Sequence, residues 1–276
     1  MSNYKLLGVG TNAKTIKGDG SEYLTAILYM TPYKVMVDGK HFNSCAMAEQ
    51  ASCIDACLYT AGRGQMTNVQ TARQRKAEWF YRDKQGFLDQ LIEDISKFEK
   101  YCNKRGIQPC VRLNGTTDIR WELQRYLGCY KKYDKKMVPS KLFNKNVFEI
   151  FPNVQFYDYT KIANRKVKDI PNYHLTWSYS NANPEYAKLL DKAMEQGMNT
   201  AVVFRSNFIK VVPKCWHKFK GYPVIDGDSD DLRFLDPKGG HIVALYAKGK
   251  AKKDRSGFVV DVPFDERFDG RHSELR

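Results

Sequence analysis

The sequence predicts an α/β fold: one mostly parallel sheet, partial (β/α) barrel-like, running as a single domain over residues 1–276. Three observations lead there. Seven short β-type runs recur along the chain. Several are apolar almost without interruption, as in strands covered on both faces. Amphipathic helical stripes separate some of them, which is the alternation of a parallel sheet. At 276 residues and 42% hydrophobic, the chain is long enough to bury a large core.

The runs are Ala26–Tyr29, Val111–Leu113, Val154–Tyr157, His174–Tyr179, Ala201–Phe204, Val224–Ile225 and His241–Ala247. Between the first two, Thr67 to Gln70 has capping-box spacing, and Val69, Ala72, Lys76, Ala77 and Phe80 follow on one stripe. Asp83 is placed to cap a second helix with Phe87, Leu88, Leu91, Ile92, Ile95 and Phe98 inward, stopped by Gly106. After the second run, Asp118 is placed to cap a short helix containing Trp121. Asn183-Pro184 opens a further helix that buries Tyr186, Leu189, Leu190, Ala193 and Met194 and ends at Gly197. Periodicity alone leaves a partial barrel, a complete barrel and an open doubly wound sheet all standing.

No apolar run reaches the length of a membrane span, so no membrane partner is expected. MSNYKLLGVG lacks the apolar core and cleavage site of a secretory signal. Seven cysteines, an odd number in a chain of this size, argue against a disulfide scaffold and for a reduced, cytoplasmic protein. The net charge of +14 points to a polyanionic partner, nucleic acid or nucleotide; a solvated lysine-rich surface is the plain alternative. Basic stretches at about 131–145, 161–168 and 248–255 follow strands, where the functional loops of parallel sheets gather. Lys131, Lys132, Lys135, Lys136, Lys250, Lys252 and Lys253 are the candidate phosphate contacts.

The segment of about 41–66 contains CAMAEQASCIDACLYTAGRG, in which Cys45, Cys53 and Cys57 fall within thirteen positions. Ser44, Glu49, Gln50, Ser52 and Asp55 surround them, so a metal-organised polar loop competes with three small buried hydrophobes. Three thiolates suit an iron–sulfur cluster with one iron left open. Zinc is the rival, with His41 completing a tetrahedron; Cys102, Cys110, Cys129 and Cys215 are other sources of a fourth ligand.

VIDGDSDDLRFLD groups Asp226, Asp228 and Asp230 after a strand. Asp231 stands where a calcium hand requires glycine, which excludes that motif. A hydrated magnesium site and a turn paired with Arg205 or Arg233 remain. In NGTTD, ligand contact by Asn114, Thr116, Thr117 and Asp118 competes with a plain strand–turn–helix junction. FYDYTK and HLTWSYSN place aromatics on strands, as core or as stacking surfaces. His174 alone reads as a core histidine, and no catalytic residue is identified. There is no phosphate loop, deaminase signature or nucleophile elbow.

A cysteine triplet after the first strand of a parallel α/β domain resembles the radical S-adenosylmethionine enzymes, although their loop is Cys-x3-Cys-x2-Cys. That resemblance implies a 4Fe-4S cluster on Cys45, Cys53 and Cys57, with S-adenosylmethionine on the fourth iron. Asn114, Gly115, Thr116, Thr117 and Asp118 would then contact that cofactor. CAMAEQASCIDACLYTAGRG, RLNGTTDIRWE, VQFYDYTK, YHLTWSYSN and VIDGDSDDLRFLD together resemble the bacteriophage family called gene product 88. It implies a phage protein acting in the host cytoplasm, without supplying a mechanism. Two functions follow as expectations: a radical S-adenosylmethionine-like enzyme acting on nucleic acid or a nucleotide, or a non-enzymatic nucleic-acid-binding protein with structural zinc.

Overall fold

The computed structural model describes residues 5–10, 22–57, 59, 61–128, 131–133, 136–138 and 141–262, with the backbone alone for 131–133, 136–138 and Trp216. In chain order the strands are β1 (Leu7–Val9), β2 (Tyr23–Leu28), β3 (Lys34–Val37), β4 (Lys40–Asn43), β5 (Gln108–Arg112), β6 (Lys131–Tyr133), β7 (Lys136–Val138), β8 (Gln155–Thr160), β9 (Tyr173–Ser178), β10 (Asn199–Phe204), β11 (Lys218–Phe219), β12 (Tyr222–Asp226) and β13 (Ile242–Tyr246). The helices are α1 (Thr67–Arg82), α2 (Lys84–Asn103), α3 (Val147–Ile150), α4 (Pro184–Ala187), α5 (Leu189–Glu195) and α6 (Phe208–Val211).

One nine-stranded sheet organises the chain in the order β1-β2-β5-β8-β9-β10-β13-β12-β11. Seven neighbours from β2 to β12 are parallel, and an antiparallel strand closes each side, β1 on β2 and β11 on β12. These seven are the seven apolar runs of the sequence. The sheet stays open and is not closed into a barrel. Because the seven run the same way, the loops after them all leave one edge, and that edge positions the site.

The two faces differ. Alternation sends Ala26, Leu28, Val111, Leu113, Phe156, Leu175, Trp177, Val202 and Phe204 into the main core, shared with Phe80 of α1 and Phe87, Leu91, Ile95 and Phe98 of α2. On the second face Cys110, Tyr157 and Leu232 make a smaller cluster with Tyr23 and Phe234.

Asp83 caps α2 by accepting from the Gly86 N–H at 3.0 Å, as its position predicts, and Gly106 follows the helix at a φ of 67°. The capping box at Thr67 does not form: α1 starts at Thr67 itself, and the Gln70 amide reaches the Gly64 carbonyl at 3.1 Å. The helix opened by Pro184 is broken into α4 and α5. Asp118 caps nothing; a bare 3-10 turn holds Trp121, and the carboxylate is drawn into an ion-pair cluster described below. Among the described residues no helix is long and apolar enough to cross a membrane.

Candidate functional site

The cysteine loop leaves the β3–β4 hairpin at the carboxyl edge of the parallel sheet. Its entry is pinned on both sides of Ser44. The Ser44 N–H donates to Tyr33 O at 2.9 Å, its hydroxyl to Thr31 O at 3.1 Å, and its own carbonyl accepts from the Asp118 N–H at 2.8 Å. Ala48, Ala51 and Ala56 are buried in the core while Glu49, Gln50 and Asp55 face water, so small apolar residues anchor a loop whose rim is polar. Ser52, just before Cys53, takes a left-handed φ of 48°. The AGRG turn closes the loop. Gly62 has a φ of 53°, and a Cβ on Gly64 would stand 2.2 Å from Tyr59 O. Arg73 locks that turn, donating to Tyr59 O at 2.8 Å with its guanidinium over the rings of Tyr29 and Tyr59.

The three thiols each find a backbone partner on this loop or beside it. Cys45 Sγ donates to Thr116 O at 3.8 Å, Cys53 Sγ to Ala48 O at 3.8 Å, and Cys57 Sγ accepts from the Tyr59 N–H at 3.5 Å. Cys57 interacts electrostatically with Cys45 and with Cys53, and Lys161 interacts with all three. Burial pushes the Cys45 thiol up to about 12 and raises Cys57 as well, so both are neutral thiols in the metal-free chain. The donor chemistry suits a metal–thiolate centre. The spacing does not yet: among the described residues, no three His, Cys, Asp or Glu side chains stand together as a metal-holding group.

His41 is exposed on β4; Phe42, its neighbour, turns inward to stack on Tyr81. Strand alternation therefore points His41 away from the helix face. Cys102 is buried in α2 in the main core, Cys110 sits on the second face, Cys215 is exposed, and Cys129 lies outside the described residues.

The NGTTD loop after β5 is built by its own side chains. Asn114 Oδ1 accepts from Thr117 Oγ1 (2.9 Å), the Ile119 N–H (2.9 Å) and Trp121 Nε1 (3.2 Å), while its amide donates to Ile119 O. Gly115 passes so close to β2 that a Cβ would stand 2.7 Å from Ile27 Cγ2 and 2.8 Å from Leu28 O. Thr116 Oγ1 donates to Met30 O at 2.6 Å. Asp118 accepts from Thr160 Oγ1 (2.9 Å), the Lys161 N–H (2.8 Å) and Arg165 Nη1 (3.2 Å). These side chains tie the loop to β2, β8 and the segment after β8.

The acidic turn begins at the same edge, where Asp226 ends β12 and accepts from the Asp228 N–H at 2.8 Å. Asp228 accepts from the Tyr246 N–H and from Lys248 Nζ. Beyond it the chain crosses the second face of the sheet. Asp230 pairs with the fully buried Arg233, and Asp231 pairs with Arg112 of β5 and accepts from Tyr159. Arg205 instead pairs with Asp261.

Of the basic stretches, the hairpin β6–β7 carries Lys131, Lys132 and Lys136, whose side chains lie outside the described residues, as does Lys135 altogether. Lys250, Lys252 and Lys253 are exposed on a 3-10 turn, Gly249–Lys253, after β13. That loop reaches the cysteine loop: Ser256 Oγ donates to Ser52 O at 3.1 Å, and a Cβ on Gly249 would stand 3.5 Å from the Ala61 Cβ. In KIANRKVK the basic residues divide. Arg165 is buried in an ion-pair cluster, Lys166 and Lys168 are exposed beside an open hollow of about 450 Å³, and the half-buried Lys161 donates from Nζ to Ser178 Oγ at 3.2 Å beside the Phe258 ring.

Lys161, Arg165, Arg112 and Ser178 are the residues that sequence reading missed. The only local signal for Lys161 is that it directly follows a strand predicted to end at the functional edge.

A family model described as gene product 88 matches residues 5–262. No curated protein and no solved structure matches the chain, and the likeness to radical S-adenosylmethionine enzymes has no support among these comparisons. The match covers nearly the whole sequence, and the chain belongs to the gene product 88 family, the phage family its motifs resemble.

Proposed function

We propose that the edge loop is a metal–thiolate centre in which Cys45, Cys53 and Cys57 take up an iron–sulfur cluster, serving a reaction on nucleic acid or a nucleotide. One observation carries this reading: three thiols fall within thirteen positions of a single loop, at the carboxyl edge of a parallel sheet, where Cys45 Sγ reaches Thr116 O of the loop after β5 at 3.8 Å. In such sheets that edge is where ligands bind. A three-thiolate cluster is favoured over a Cys3His zinc site because His41 sits exposed on the outer side of its hairpin.

When bound, the cluster would supply one-electron chemistry, with one iron free for a ligand. S-adenosylmethionine is the candidate for that ligand, on family-type resemblance alone. Asn114, Thr117 and Asp118 are engaged within the protein, so the loop after β5 would offer such a ligand chiefly backbone groups. The chain's own contribution is placement. Ser44 and Asp118 hold the loop on the edge, and the turn with Lys250, Lys252 and Lys253 brings exposed positive charge beside it. That charge suits a phosphate-bearing substrate.

Metal analysis of anaerobically purified protein tests the reading. The expected result is a brown protein with about four irons per chain. Cys45→Ala, Cys53→Ala and Cys57→Ala should each lose iron, and Cys102→Ala should keep it. A colourless protein with one tightly held zinc, or wild-type protein that takes up no iron on reconstitution, would refute it.

A further inference from the structure

The helices pack their buried side chains into the main core, and the second-face cluster takes none of them. What packs on that face is the connection from β12 to β13, a strap from Gly227 to Gly240 with a 3-10 turn at Arg233–Leu235. From Asp230 to Asp236 its backbone hydrogen bonds among the described residues stay within the strap, and Gly239 and Gly240, at φ of 64° and 71°, mark its far end. Side chains therefore hold it to the sheet. Asp231 pairs with Arg112 of β5 through Oδ2 and accepts from the Tyr159 hydroxyl through Oδ1 at 3.4 Å. Phe234 sets its ring against Tyr23 and Tyr157, 5.3 Å from each centroid. Tyr157 in turn carries the Arg112 guanidinium 5.5 Å from its own ring centroid.

The closed strap leaves donors unanswered. Arg112 Nε, Arg233 Nε and Thr176 Oγ1 are buried and make no hydrogen bond among the described residues; Thr176 stands in register with Tyr159. Folded proteins satisfy nearly all such groups, and each one left open costs free energy. The two arginine nitrogens can only donate, and both oxygens of Asp231 are already in use. The face thus calls for a group richer in acceptors than one carboxylate. Phosphate is such a group, and it matches the fork of a guanidinium. The strap lends this face two things within four residues: an anion on Arg112 and a planar ring on Tyr157. Those are the two parts of a nucleotide.

We infer that the second face is a nucleotide-binding site held closed by its own strap, with Asp231 in the place of the phosphate on Arg112 and Phe234 in the place of the base against Tyr23 and Tyr157. A nucleotide enters by displacing the strap, while Arg112, Thr176 and the tyrosines stay fixed on their strands. Its phosphate oxygens then reach the donors that the strap leaves open. The inference uses none of the thiols: failure of metal uptake leaves it standing, and its own failure leaves the edge loop untouched.

The test titrates adenosine monophosphate into wild type, Asp231→Asn, Phe234→Ala and the double variant Asp231→Asn with Arg112→Met, with adenosine and inorganic phosphate as separate probes. Apparent affinity rises with the fraction of protein in the open form, so each loosened single variant should bind adenosine monophosphate at least about tenfold more tightly than wild type. The double variant should lose that gain, and adenosine or phosphate alone should bind more weakly than the nucleotide. Hydrogen exchange on wild type gives a second reading: millimolar adenosine monophosphate should speed exchange of the amides from Asp230 to Asp236. A strap that is only structural lowers stability when loosened, without any gain in affinity. Unchanged affinity in the folded single variants overturns the inference; where neither folds, unchanged exchange in wild type does. Tighter binding that survives Arg112→Met puts the phosphate elsewhere and overturns it too, as does phosphate alone binding as tightly as the nucleotide.

Discussion

Replacing Arg165 by methionine strikes the junction that holds the edge loops together. The guanidinium grips Glu122 as a fork, Nε to Oε1 at 2.9 Å and Nη2 to Oε2 at 2.7 Å, and reaches Asp118 Oδ1 at 3.2 Å. Nη2 also donates to Ile119 O at 3.0 Å and to the Tyr173 hydroxyl at 3.1 Å. The Arg165 side chain is 1% exposed and the two carboxylates 8% each, so truncation strands two buried charges that water reaches poorly. Breaking a buried pair in this way costs about 3–5 kcal/mol. With an unfolding entropy of about 2.1 cal/mol/K per residue, that loss lowers the Tm of this chain by about 5–9 °C. In urea, with a slope of about 3 kcal/mol/M, the midpoint falls by about 1–1.7 M. Adding Glu122→Gln should restore part of the loss, because one stranded charge is gone. A single-variant loss below about 1 kcal/mol would mean the cluster behaves as a surface pair, and would refute the placement of Asp118 as a buried anchor.

Three further outcomes are expected. Gly115→Ala puts a Cβ 2.7 Å from Ile27 Cγ2 and 2.8 Å from Tyr29 Cδ1, and should cost about 1–3 kcal/mol in urea unfolding; a neutral result would show that β2 yields at that point. Burial, then the charge of Arg233, lowers the His174 imidazole to about 4 from 6.5, so its stability contribution is complete above 6.5 and lost as pH falls toward 4. Asp158, raised by burial to about 7, acts oppositely and loses stability as pH rises through that range. The readout is therefore the difference in urea midpoint between wild type and His174→Gln, which should turn against wild type as pH drops from 7 to 4.5 (working range set by about these pKa values); a constant difference contradicts it. Finally, replacing Lys250, Lys252 and Lys253 by alanine should flatten the log–log salt dependence of binding to single-stranded nucleic acid. An unchanged slope removes that turn from the interface.

The parallel strands were legible because their apolar runs are nearly unbroken, and burial on both faces leaves that mark directly in the sequence. The β3–β4 hairpin had a signal that went unread: Asp38-Gly39 takes φ of 50° and 74°, the pair of positive values that an Asp-Gly hairpin turn adopts. The edge strands β1 and β11 are three and two residues long, too short for any period to show. At the site, the clustered thiols were visible, but what surrounds them was not. Arg112 meets Asp231 across 119 positions, and Arg165 meets Glu122 across 43, distances over which no local pattern speaks. Lys161 was hidden for a different reason: among four basic residues in eight positions, charge alone does not say which one turns inward.

The contact between the loop after β13 and the cysteine loop fixes when the site can exist. From β2 through β13 the sheet adds neighbours mostly in the order of synthesis, so much of it can assemble as the chain leaves the ribosome. Ser256 and Phe258, which reach Ser52 and Lys161, are made about two hundred residues after Cys53. Until they emerge, the thiols lie under a mouth without its far lip, open to oxidants and to stray metals. Closure over the thiols is thus a step of the released chain, completed only when the last loop folds back onto the first one.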